Sequence, residues 1–213
     1  MILYNTLVGF CAGIVILTVA DVIRRHPRAA LSGHGVVLVA VGAPLTVLSA
    51  VAALSWPLTV NPPINVAFFE PSLLLGVLAL VAATALLRQG DTELDSAGYS
   101  RLRPLTWLVF AVGLMLVSIG SAIFSYGLVG DAPRAEPITG RFQGWENSTF
   151  GVVYFLAAAG CLAAPQIHTM TARFVMRWSW TVSGAFFLLF SVLNYRTHIG
   201  MLVNVGTGSN HQW

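Results

Sequence analysis

Six long apolar runs dominate this chain and fix the kind of solvent it can fold in. They are Ile2–Ala20, Gly35–Ser55, Phe68–Leu87, Leu105–Leu128, Phe150–Ala164 and Phe174–Asn194. A helix needs about 20 mostly apolar residues to cross a hydrocarbon core of about 30 Å at about 1.5 Å per residue. Five runs meet that length directly. The fifth, Phe150–Ala164, reaches it only when Asn147 or Gln166 joins the helix, and the sixth can run on through His198 to about Val203. Charged residues make up only 9% of the chain, whereas a soluble domain carries about 25%. So few charges cannot keep a 213-residue globule wet. A soluble enzyme, a disordered chain and a nucleic-acid-binding protein are excluded. The expectation is an all-α, polytopic membrane protein of the cell inner (plasma) membrane, with one six-helix domain over residues 1–205 and a short tail over 206–213.

The arginines orient it. Every basic residue is Arg, and eight of them fall in or beside alternate connections: Arg24, Arg25, Arg28, Arg88, Arg101, Arg103, Arg173 and Arg177. The other set holds Arg134, Arg141 and Arg196. The positive-inside rule then puts both termini outside, away from the cytoplasm. Trp56, Tyr126, Trp145 and Tyr195 fall near the outer boundary, and Trp107, Trp178 and Trp180 near the inner one, as interfacial anchors do. The net charge of +3 reflects this topology rather than a polyanionic partner.

The connections differ in chemistry. Residues 55–66 (SWPLTVNPPINV) are Pro-rich and uncharged, which predicts an ordered outer crossover. Residues 90–103 are polar and read as a solvated cytoplasmic turn. Residues 130–148 form the longest connection, a length typical of functional loops and cavity caps. Cys11 and Cys161 lie singly inside apolar runs, where cysteine behaves as a small hydrophobe, so neither a disulfide nor a metal is expected. Met1 is followed by Tyr4-Asn5 and no basic leader, so the first run reads as a retained helix.

Ionisable residues inside a membrane span are costly and are functional candidates by default. Glu70 is the main one. Pro71 follows it, and proline favours the first helical position, so Glu70 fits an N-terminal cap on the third helix. The alternative is a polar ligand contact, or an ion pair with Arg141 or Arg196. Glu146, Asn147, Ser148 and Thr149 stand before the fifth helix and can cap it likewise. Together these groups suggest a polar outer lid. Gln166 and Asn194, near span ends, are hydrogen bonders between helices or ligand contacts. The tentative ligand-binding set is Glu70, Phe69, Asn147, Gln166, Asn194 and Arg141. His26, His34, His168, His198 and His211 all lie near span ends or in the tail, so no haem pair or proton chain crosses the core. No catalytic grouping or phosphate loop is present, and an enzyme is not expected. Small residues such as Gly13, Gly42, Gly113, Gly120 and Gly160 allow close helix packing and leave room for an apolar slot.

Residues 61–76 (NPPINVAFFEPSLLLG), with Tyr126-Gly127, Glu136-Pro137 and residues 145–151 (WENSTFG), resemble a family of bacterial and archaeal membrane proteins, domain of unknown function 981. The resemblance covers most of the chain, and F-x-E-P-S-L is its most specific part. It implies no activity. Six helices and small size also resemble the Insig membrane sterol sensors, by architecture alone. The functional expectation is a non-enzymatic protein with an apolar intramembrane pocket for a sterol-like or diacyl lipid, without cofactor. A homo-oligomer is expected from small residues on several helix faces. The alternatives are a small-solute transporter or channel, and an accessory subunit bound to a membrane-protein partner.

Overall fold

Where apolar runs are this long, every backbone N–H and C=O must be satisfied inside the segment, and only helices do that one segment at a time. In a computed structural model the chain forms six helices: α1 (Ile2–Arg25), α2 (Ser32–Ser55), α3 (Pro63–Gln89), α4 (Ser96–Tyr126), α5 (Glu146–Ala163) and α6 (Met170–Thr207). Single 3₁₀ turns cover Thr139–Arg141 and Ala164–Gln166. The structure describes residues 2–25, 31–59, 61–90, 96–131, 134, 136–141 and 144–208. His26, Arg28 and His211 therefore lie outside the described residues. All six helices are long and apolar enough to cross a membrane. This is a multi-pass helical membrane protein.

Five helix starts differ from the expected ones, that of α6 at Met170 lying four residues early. α2 begins at Ser32, three residues early, since Gly33 and His34 suit the polar end of a helix. α4 begins at Ser96 rather than Leu105 and absorbs much of the expected polar turn. Its apolar stretch continues outward into a polar first segment that keeps its own hydrogen bonds. α5 begins at Glu146, four residues early, and Gln166 closes its following 3₁₀ turn. α3 begins at Pro63, five residues early, because Asn65 folds back on the crossover. Its Oδ1 accepts from Leu58 N at 3.1 Å, while its Nδ2 donates to Leu58 O at 3.1 Å and to Pro62 O at 2.9 Å. Pro63 stands in the first turn, where the missing N–H costs nothing. At its far end α6 passes Asn194 and runs to Thr207, taking in the first residues of the expected tail.

The bundle is assembled from antiparallel pairs. α2 lies on α3, α1 on α6 and α4 on α5, with α5–α6 and α1–α2 contacts joining the pairs. Glycine sets the closest approaches. A Cβ on Gly13 would stand 2.6 Å from the backbone nitrogen of Leu188, and one on Gly76 would stand 2.8 Å from that of Thr46. Neither backbone can give way, so α1–α6 and α2–α3 pack at a distance only glycine permits. Gly42, Gly113, Gly120 and Gly160 likewise face neighbouring helices of the same chain. Buried hydroxyls bond back along their own helices, as Ser183 does to Ser179 O at 2.9 Å. Large apolar side chains face outward on every helix; Leu54 is 88% exposed. Such a surface suits lipid, not water.

α3 and α4 are the exception. They touch at few positions, although they are neighbours around the bundle.

Candidate functional site

The residues on either side of that loose seam line a long, narrow cavity of about 350 Å³. Its walls come from α1, α3, α4, α5 and α6, with α2 behind them contributing Leu38. Along α6 the lining runs from Arg173 to Asn194, which at about 1.5 Å per residue is about 30 Å, the depth of a hydrocarbon core. The lining is overwhelmingly aliphatic and aromatic. At the end nearer the termini the wall is a cluster of rings: Phe150 meets Phe68 at 5.3 Å and Phe190 at 5.0 Å, both edge to face. This geometry is the favoured one for aromatic quadrupoles.

Two ring residues in these walls turn their polar groups toward the protein. Pro71 sits inside α3 and has no N–H to give the carbonyl of Ala67 four residues earlier. The hydroxyl of buried Tyr154 donates to that same oxygen at 2.7 Å. Trp180 Nε1 donates to Ala157 O at 3.1 Å. Both hydrogen bonds satisfy groups that would otherwise face the cavity unpaired, a costly state without water.

The predicted site residues scatter. Asn194 is buried and lines the cavity. Phe69 is fully buried, but in the core formed by α1, α2 and α3, with its neighbour Phe68 at the cavity instead. Glu70 is not a cap, because α3 starts seven residues before it; it stands exposed in the second turn with no ion pair or hydrogen bond among the described residues. Its carboxylate stays outside the cavity lining. Asn147 does not cap α5 either: its Oδ1 accepts from Val129 N at 3.1 Å. Gln166 and Arg141 are exposed. The cavity gathers Asn194 alone of the six.

The lid expected above the bundle exists in another form. Asn61 Nδ2 donates to Leu128 O at 2.6 Å, and Asn147 holds the N–H of the next residue, Val129. Two amides thus grip one peptide and join the α2–α3 and α4–α5 connections. The α4–α5 connection also holds a buried carboxylate that the sequence offers only as part of the family resemblance and not as a site residue. Glu136 is 3% exposed, and its Oε1 lies 3.0 Å from His198 Nε2 and accepts from Thr197 Oγ1 at 3.2 Å. His198 Nδ1 lies 3.0 Å from Thr6 Oγ1. The chain Thr6–His198–Glu136 ties α1, α6 and the long connection together. Among the described residues no group of three His, Cys, Asp or Glu is arranged to hold a metal ion, and Cys11 and Cys161 are both buried and free.

The bundle therefore defines a class, six-helix multi-pass membrane proteins with an apolar cavity among the helices. The chain belongs to the family described as "Protein of unknown function (DUF981)", which matches residues 1–201. No curated protein and no solved structure matches it.

Proposed function

We propose that this protein is a non-enzymatic lipid-binding protein of the plasma membrane, with both termini outside, whose cavity receives lipid acyl chain through the α3–α4 seam. The observation that carries this reading is the cavity itself: apolar, at membrane depth, and bounded on one side by two helices that scarcely pack. Ligand pockets of about 300–1,000 Å³ are lined in this way when the ligand is apolar. A long, narrow shape suits a flexible acyl chain better than a rigid fused-ring sterol. Likeness to the Insig proteins rests on helix count and size and transfers no site. A transporter or channel would need polar groups at mid-depth, and Tyr154 and Trp180 give theirs to backbone carbonyls.

Native mass spectrometry after mild detergent extraction tests the reading. One lipid per chain is expected to survive detergent removal, and a bare chain under all gentle conditions would overturn it. Homo-oligomerisation and a membrane-protein partner remain open to light scattering and co-purification. The glycines that suggested an oligomer are occupied within the monomer, so a dimer would have to use other faces.

A further inference from the structure

Resting on that reading, we infer that the cavity selects a lipid with an anionic head, held by Arg173 at the arginine-rich end, with its acyl chain running toward the ring cluster. Arg173 is the one charged side chain among the residues lining the cavity. It stands in the first turn of α6, half-buried, and makes no ion pair or side-chain hydrogen bond among the described residues. Its neighbours in the lining at that end, Leu105 and Ile167, are apolar, and Thr106 turns its hydroxyl to Arg103 O at 2.8 Å. A guanidinium against apolar walls without a counter-charge is unfavourable unless something anionic completes it.

The contrast with the other arginines at this end is informative. Arg24 and Arg25 are both bound to Asp21, at 2.5 and 2.6 Å, and Arg177 lies 5.2 Å over the ring of Trp178. Those three are satisfied by the protein, and Arg88 and Arg103, without a partner among the described residues, stand exposed away from the cavity lining. Arg173 lines the cavity without a partner among the described residues, with about 30 Å of apolar slot beyond it. A carboxylate or phosphate monoanion fits the guanidinium fork, and an acyl chain fits the slot. The topology proposed above puts this end on the cytoplasmic side, where anionic headgroups concentrate.

The test pairs each anionic lipid with an uncharged lipid of matching chains. Purified full-length protein in neutral detergent is titrated with oleate, oleyl alcohol, phosphatidylglycerol, diacylglycerol and inorganic phosphate, and occupancy is read by native mass spectrometry. Oleate and phosphatidylglycerol are expected to bind about tenfold or more tighter than their uncharged counterparts, the usual worth of a charge-assisted hydrogen bond. Whichever of the two binds tighter names the source of the anion. Arg173→Gln should remove that preference without weakening the neutral lipids, Arg173→Lys should keep part of it, and Arg177→Gln should leave it intact. Equal binding of oleate and oleyl alcohol would overturn the anionic head and leave the apolar cavity standing. Binding of inorganic phosphate as tight as that of oleate would overturn the need for the chain. If no lipid binds in any form, the proposed function itself fails, and this inference with it.

Discussion

Two seams of the same bundle obey opposite rules. Along α1–α6, Gly13 lets the backbone of Leu188 approach, Gly9 meets Ser191, and Gly184 meets Ile16 and Leu17. At its end the Thr6–His198–Glu136 chain locks it. Along α3–α4 no glycine among the described residues brings the helices together; Gly76 faces Thr46 on α2, and Gly113 faces Cys161 and Leu162 on α5. In a membrane no hydrophobic force pushes helices together, so close packing and hydrogen bonds decide which seams shut. The small residues shut α1–α6, α2–α3 and α4–α5. The seam they leave out is the one that opens on the cavity.

The comparison can be broken at the locked seam first. His198→Leu removes one hydrogen-bond partner of a carboxylate that is only 3% exposed, and should cost about 1–3 kcal/mol, the penalty for leaving a buried polar group short of a partner. Thermal unfolding in detergent measures it. An unchanged midpoint would mean that Glu136 is held adequately by its other partners, Thr197 among them. Gly13→Ala should cost about 1–3 kcal/mol by overpacking against the Leu188 backbone, and Gly76→Ala a comparable amount at α2–α3. A neutral result at Gly13 would show that the two helices separate freely, and the contrast between seams would dissolve.

Smaller effects sharpen the picture inside the cavity. Tyr154→Phe leaves Ala67 O without its donor, because Pro71 cannot replace it. The loss should be about 0.6–1.7 kcal/mol, the range measured for interhelical hydrogen bonds in membranes. Pairing it with Pro71→Ala tests the cause directly: the restored N–H should recover part of the loss, and additive losses would refute the assignment. Glu70→Gln should leave stability and lipid retention unchanged, since the side chain is exposed and touches no partner among the described residues. A marked fall in lipid retention would return Glu70 to the site.

The spans were legible because their signal is a sum over about 20 residues and tolerates errors at each one. Helix starts were not, because single residues decide them. Pro71 reads as a first-turn proline, yet the helix carries it internally because Tyr154, 83 positions away in the chain and on another helix, supplies what the proline lacks. That compensation has no local signature. The cap expected at Glu70 fails for the same reason. Asn194 was found because a polar residue late in a span is conspicuous, whereas Arg173 looked like one more topogenic arginine; only its place on the cavity wall separates it from Arg177. Glu136 enters the sequence reading only through the family resemblance, and its burial depends on α6 continuing past Asn194 to bring His198 against it.

The most direct test of the central claim is where a lipid touches the protein. A lipid carrying a photoactivatable diazirine on its acyl chain, incorporated into proteoliposomes and irradiated, labels whatever side chains surround it. Outward residues such as Val47, Val51 and Leu54 of α2 will be labelled diffusely in any bilayer. The cavity account predicts a second set of adducts, saturable by unlabelled lipid, on inward-facing Leu75 of α3, Val112 of α4 and Phe187 of α6. Labelling confined to the outward faces, with none of these three modified, would contradict it.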